Sequence, residues 1–386
     1  MSFSLPSQNI NMNSSEKQKK VALFYPLFLG GGAEAVALWI AQALKDNYDL
    51  TLFTLVNIDV RYLNAMYGTE IEPEKLKINA LIPDRLSKFT TFLVANNWNF
   101  KIFSYHLIIR KLKAHRSEYD LAISTYNAID MGGKDIQYIH WVKVLDDNKI
   151  YNRVSKLSYE NLKNNYSIAN SGFVADKVKQ TYGIESTVIY PPVVLEVQDI
   201  PWETKEYAFI CSGRLTRPKE PHRVIEILKE VRAQGFDVKL YLTGGGGGTY
   251  AVDYRRFLQK MIDQNSDWVT LYENLPYEDY KKVLTRCKYG IHYKKEPFGI
   301  SVAEMVKAGA LTFARRKGGG QIEIIGPEND ELLFDRPEEA VKQIVAVLSD
   351  EAKEKEMLAK LAARKELFST AKFTQEIKKF VDHSLA

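Results

Sequence analysis

At 386 residues the chain is long enough for two domains with full cores, and its 45% hydrophobic and 26% charged content is that of a soluble globular protein. A net charge of +5 is mild: it suits anionic substrates or an anionic membrane surface and argues against a dedicated nucleic-acid binder. Cys211 and Cys287 stand alone without metal-ligand spacing, which fits a reducing compartment.

Residues 1–20 are polar and rich in Ser and Asn; they read as disordered, and no signal peptide is expected. Val21 to Leu44 carries one charge, Glu34, yet Pro26, the triplet Gly30-Gly31-Gly32 and Glu34 divide it into a strand (Val21–Tyr25), a loop and a helix (Ala33–Lys45). No transmembrane segment is expected, and the location expected is cytoplasmic, possible membrane contact being at the inner surface. Glycines at 31 and 32 let backbone amides approach a ligand closely. No Gly-Lys-Ser/Thr follows any glycine run, which excludes a P-loop. Asp49 to Val56 is a second strand. Residues 85–116 interleave Phe, Trp, Leu and Ile with Lys88, Lys101, Arg110, Lys111, Lys113 and Arg116, a pattern that fits either an anionic membrane surface or a core-facing helix with a solvated basic side.

Tyr119–Thr125 and Asp135–His140 read as buried strands, with His140 at a carboxyl end, where open α/β sheets gather ligands. Asn170-Ser171 caps a helix from Gly172 to Tyr182, and Val188–Tyr190 is a further strand. Pro191-Pro192 and the acidic stretch Glu196–Glu206 mark a boundary between a first domain, 21–195, and a second, 196–369.

The second domain opens with a strand, Tyr207–Cys211, running into Ser212-Gly213-Arg214-Leu215-Thr216-Arg217-Pro218-Lys219 before a helix near Pro221. Arg214 offers a planar fork and Lys219 a point charge, and both suit a diphosphate. Val238–Leu242 ends in Gly244–Gly248; Trp268–Tyr272 is a strand and Tyr277–Cys287 a helix. The central stretch is Gly290 to Gly309. Apolar residues before Lys294 and Lys295 make a strand, Pro297 and Gly299 turn the chain, and Ile300–Ala308 is helical with Gly309 as a stop. Glu296 and Glu304 thus bracket a helix N-terminus, which favours an anion. Ser301 to Glu304 spans roughly 4.5 Å of helix axis, a fitting step from a phosphate to the hydroxyls of a neighbouring sugar. That layout matches a nucleotide-sugar; solvent-facing glutamates at a helix end are the plainer alternative. Ala310–Ala314 is a strand, Arg315-Arg316-Lys317 precedes Gly318-Gly319-Gly320, Pro337–Leu348 is an amphipathic helix, and Ser369 caps a last helix with the stripe Phe373, Ile377, Phe380 and Val381.

Glu296 to Glu304, two glutamates with seven residues between, resembles the signature of retaining glycosyltransferase family 4. Gly290-Ile291-His292 through Gly319-Gly320-Gln321-Ile322-Glu323-Ile324-Ile325 is similar to the branch that includes the dolichol-pathway α-1,2-mannosyltransferase and its prokaryotic relatives. The resemblance covers most of the chain from about Val21. It implies a GT-B fold: two Rossmann-like, doubly wound parallel-sheet α/β domains facing across a cleft, with the helix 370–386 packing back on the first. It also implies transfer of a mannose- or glucose-type hexosyl group from a GDP- or UDP-linked sugar to an acceptor hydroxyl, in glycan, glycolipid or polysaccharide synthesis, with retention and with neither metal nor cofactor. By the same resemblance His140, Arg214, Lys219 and Glu296 are catalytic. Gly31, Gly32, Gly244, Gly246, Phe298, Gly299, Ile300, Ser301, Glu304 and Gly319 bind the donor. Glu304 takes the ribose hydroxyls, and Glu296 holds sugar hydroxyls or acts as a nucleophile. Arg315 stands where the family has small or apolar residues, so the donor pocket is expected to be altered. The competing readings are a nucleotide-sugar epimerase or phosphorylase on a related fold, and a non-catalytic sugar-nucleotide-binding protein.

Overall fold

A computed structural model describes residues 18–143, 149–195, 200–245, 252–317 and 319–386. The segment read as disordered therefore falls mostly outside the described residues, as do Gly246 and part of the acidic stretch at the domain boundary.

Two parallel sheets organise the chain. The first contains β1 (Lys20–Phe24), β2 (Asp49–Thr54), β3 (Leu76–Ala80), β4 (Leu121–Ser124), β5 (Ile136–Ile139), β6 (Tyr166–Ala169) and β7 (Thr187–Val188), in the order β3-β2-β1-β4-β5-β6-β7. The second contains β8 (Glu206–Ser212), β9 (Lys239–Gly244), β10 (Val269–Glu273), β11 (Cys287–His292), β12 (Leu311–Arg315) and β13 (Leu333–Phe334), in the order β10-β9-β8-β11-β12-β13. Each order reverses after its first strand, between β1 and β4 and between β8 and β11, and crevices for ligands open at the carboxyl ends of such switch points. The strands are continuous apolar runs because helices cover both faces of each sheet: all of Val21–Phe24 and of Phe209–Ile210 is buried.

The last helix, Thr370–Leu385, starts with Ser369 Oγ accepting from the Lys372 amide at 3.3 Å. Its stripe of Phe373, Ile377 and Val381 packs into the core of the first sheet, and the Tyr48 hydroxyl donates to Asp382. Two strands escape the sequence pattern. β3 has one buried residue in five, so it lacks a clean apolar signature, and β6 is only four residues long. The helices Val60–Tyr67 and Glu351–Ala362 were likewise not anticipated. Within 85–116 the chain forms two helices, Asp84–Asn96 and Trp98–His115. The second buries Ile108, Ile109 and Leu112 in the core; the first leaves Leu86, Phe89 and Phe92 exposed.

Candidate active site

β11 delivers the central loop to the carboxyl edge of the second sheet. Gly299 caps the helix Ile300–Lys307 with φ +105°, a conformation that strains any residue with a Cβ, and its carbonyl accepts from the Val302 and Ala303 amides at 2.9 and 3.1 Å. Upstream, Gln321 fixes the loop. Its Oε1 accepts from the Glu296 amide at 3.0 Å, and its Nε2 donates to Lys294 O at 3.1 Å. The Gly320 amide donates to Glu296 O at 2.8 Å. A Cβ on Gly319 would lie 2.5 Å from that same carbonyl, so Gly319 and Gly320 are small because they support the Glu296 loop. The ring of Phe298 is buried between Tyr190 and Phe368.

The two glutamates sit in opposite electrostatic settings. Lys219 donates to Glu296 Oε1, and His292 Nε2 lies 3.4 Å from the same oxygen. Burial pushes Glu296 up, but the His292 and Lys219 contacts outweigh it and hold the carboxyl down at about 2. Glu304 has no cation paired with it among the described residues. Burial raises it to about 7 against one opposing hydrogen bond, from the Tyr280 hydroxyl to Oε2 at 2.9 Å.

Glu304 and Ser301 line a cavity of about 320 Å³ with Ser212, Gly213, Thr243 and Gly244, and Asn274 and Tyr280 also border it. Ser212 Oγ and Thr243 Oγ1 share a hydrogen bond of 2.8 Å across its floor. A Cβ on Gly244 would stand 1.9 Å from Gly213 O, so only glycine allows β8 and β9 to converge here. Arg214 follows on the same loop, exposed and one residue beyond the cavity wall. Arg315 is drawn aside, its guanidinium 4.8 Å from the Tyr293 ring centroid.

The first domain meets this site through its glycine loop. Ile300 Cδ1 fills the space where a Cβ on Gly32 would be, at 2.3 Å, so the two helix N-termini abut. Gly31 has open space before it, and its amide donates to the Tyr67 hydroxyl at 3.2 Å. Glu34 holds the loop: its carboxylate accepts from the Leu29 amide at 2.6 Å, the Gly30 amide at 2.9 Å and the Tyr67 hydroxyl at 2.7 Å. His140 is buried at the end of β5 with Nε2 3.0 Å from Thr125 O. A carbonyl only accepts, so Nε2 carries the proton and Nδ1 is the ring's acceptor. Burial lowers His140 to about 4, against the Thr125 bond, and keeps it neutral.

A second seam joins the domains beside the Glu296 loop. Ser171 Oγ accepts from the Val174 amide at 3.1 Å as N-cap of the helix Gly172–Tyr182, and donates to Pro297 O at 2.7 Å. The Glu323 carboxylate accepts from the Gly172 and Phe173 amides at 2.8 Å each and from the Tyr190 hydroxyl at 3.0 Å. The sequence pattern missed Tyr280, Gln321, Glu323 and Glu34 as site-building residues. Glu34 and Glu323 sit beside glycine runs, and that was the available signal; Tyr280 had none.

Residues 195–365 match the family model for glycosyl transferases group 1. The fold as a whole is that of GT-B glycosyltransferases. The structure of Anabaena Alr3699/HepE, solved in complex with UDP and glucose, superposes with a TM-score of 0.67 at 18% identity, over 95% of this chain and 100% of that one. That of the pneumococcal O-GlcNAc transferase GtfA, in complex with UDP and GlcNAc, gives 0.68 at 11% identity, over 96% and 99%. In sequence, the chain is 25% identical over 250 residues to the GDP-Man:Man(3)GlcNAc(2)-PP-Dol alpha-1,2-mannosyltransferase of Dictyostelium discoideum, across 61% of this chain and about half, 49%, of that protein's length.

Proposed function

We propose that the protein is a retaining glycosyltransferase that moves a hexosyl group from a nucleotide-diphosphate sugar to an acceptor hydroxyl, without a metal ion. The observation that carries this reading is the cavity at the ends of β8 and β9: a half-buried carboxylate, Glu304, one helical turn from Ser301, with Arg214 and Lys219 on the adjoining loop. Glu304 accepts the ribose hydroxyls. The amides at Ile300 and Ser301, with Arg214 and Lys219, meet the diphosphate, whose charge grows as the sugar leaves. Glu296 is ionised and anchored by Lys219 and His292, an arrangement suited to holding sugar hydroxyls. The leaving phosphate then takes the acceptor's proton on the same face, which gives retention. His140, neutral, offers Nδ1 to the sugar rather than serving as an acid.

GDP-mannose is the donor favoured by the mannosyltransferase similarity, with UDP-linked sugars as the comparison. A thermal-shift series with GDP, UDP and their mannose and glucose conjugates tests the donor, since a ligand bound only by the folded state raises Tm. Crystals grown with the winning nucleotide should hold it in the Glu304 cavity; a nucleotide lodged elsewhere refutes the reading. Retention is read from the anomeric configuration of the product, and metal independence from turnover in EDTA.

Among the described residues no helix is long and apolar enough to cross a membrane. The helix Asp84–Asn96 nevertheless exposes Leu86, Phe89 and Phe92, which are 46%, 63% and 64% accessible, beside Arg85 and Lys88, and Trp98 follows at 65%. This face supports peripheral association with an anionic bilayer at the cytoplasmic surface. Anionic liposomes should sediment the protein and neutral ones should not; equal sedimentation would remove the idea.

A further inference from the structure

The carboxyl edge of the first sheet carries a connected set of rings. Tyr126 lies 5.6 Å from Tyr25, 5.3 Å from Tyr105 and 5.3 Å from Trp141, centroid to centroid. At one end of this set is a cation. Lys101, near the start of the helix Trp98–His115, holds its ammonium 5.5 Å from the Trp98 ring centroid and 5.9 Å from that of Tyr105. It makes no ion pair among the described residues, although it is half-buried. Its charged neighbours are Arg214, from the second domain, and Glu34. Glu34 spends its hydrogen bonds on two amides and the Tyr67 hydroxyl, so it offsets the lysine's charge from a distance without bonding to it. Burial and then the Arg214 charge lower the pKa of Lys101, while Glu34 partly offsets them.

Two cations from facing domains against the single carboxylate of Glu34, with rings beside one of them, leave a net positive charge here. Arg214 and Lys219 suffice for the donor diphosphate on the reading above, and Lys219 stands beyond Arg214 on the second domain. Lys101 reaches from the first domain, where the rings offer apolar faces to a sugar. We propose that Lys101 is a specificity-determining residue on the acceptor side, and that the acceptor is a sugar carrying a phosphate or carboxylate, which the ammonium binds while the sugar packs on Tyr126 and Trp141. The inference rests on the glycosyl-transfer reading for its division of the cleft into donor and acceptor sides.

The test is titration calorimetry on the full chain saturated with GDP or UDP, which blocks the donor side. The acceptor-side probes are mannose 1-phosphate, glucuronate and methyl α-mannoside. At least one anionic probe should bind roughly 10-fold or more tightly than the neutral sugar, the usual worth of one charge-assisted contact. Which of the two wins identifies the anion as phosphate or carboxylate. Lys101→Met should reduce that probe to the level of methyl α-mannoside, leave Tm and nucleotide affinity unchanged, and be rescued by Lys101→Arg. Equal binding of charged and neutral probes, absence of binding by all three, or an equal loss of nucleotide affinity in Lys101→Met overturns the proposal. If neither GDP nor UDP binds at all, it is the glycosyl-transfer reading that fails, and the first titration reveals this before any acceptor-side probe is added.

Discussion

The two domains repeat one strand order but finish their carboxyl edges with different chemistry. The first ends in rings, a neutral histidine and a glycine loop tied by Glu34; the second ends in ions, with Glu296 paired and Glu304 unpaired. The same contrast recurs on a smaller scale within the central loop. Seven residues separate two carboxyls of identical chemistry, yet one is held at about 2 and the other raised to about 7. Cations decide the first and burial the second. A parallel sheet supplies a scaffold that is indifferent to chemistry; the loops at its edge assign the work.

The contrast breaks most severely if the ionic edge is discharged. Arg214→Ala should lower kcat about 10²–10³-fold, the usual loss for one well-placed electrostatic donor, with an unchanged circular dichroism spectrum; near-normal turnover would remove Arg214 from the chemistry. Next is the unpaired carboxyl. Glu304 has a folded pKa near 7 against an ordinary 4.5, so the folded state binds the extra proton between those values. The stability this group contributes is complete below about pH 4.5 and is lost as pH rises towards 7, by about 3 kcal/mol at most. Glu304→Gln should therefore unfold at a higher temperature than the parent at pH 8 and with little difference at pH 4, while binding the nucleotide at least about 10-fold less tightly. In the parent, nucleotide affinity should strengthen as pH rises to 7, because the ribose hydroxyls need the ionised form.

The paired carboxyl has the opposite sign. Its folded pKa is depressed, so the stability it contributes is present above pH 4.5 and is lost as pH falls towards 2. Lys219→Met strands a partly buried carboxylate and should cost a few kcal/mol at pH 7, and less near pH 3, when measured by urea titration. The smallest effect is expected at the seam. Ser171→Ala removes an N-cap and should cost about 1 kcal/mol, while kcat falls less than in Arg214→Ala.

Legibility in the sequence followed the range of the interactions. The helix Ile300–Lys307 and its Gly299 and Gly309 boundaries were readable because turn, period and stop are all local. Ser171 and Ser369 were readable as caps for the same reason. β3 was not, because Lys77 and Asn79 interrupt its apolar run at the sheet edge. Glu296 and Glu304 could be named as a pair, but their divergent ionisation could not. Lys219 lies 77 residues from Glu296 and Tyr280 lies 24 from Glu304, and only the folded sheet brings them together.

The seam at Ser171 and Glu323 ties motion to grip. The hydroxyl that caps the helix Gly172–Tyr182 is bonded to the carbonyl of Pro297, inside the turn we propose for the diphosphate. Swinging one half of the molecule away from the other along this line pulls on that turn itself. On the proposed reading of the site, widening the entrance and slackening the hold on spent nucleotide are then a single event.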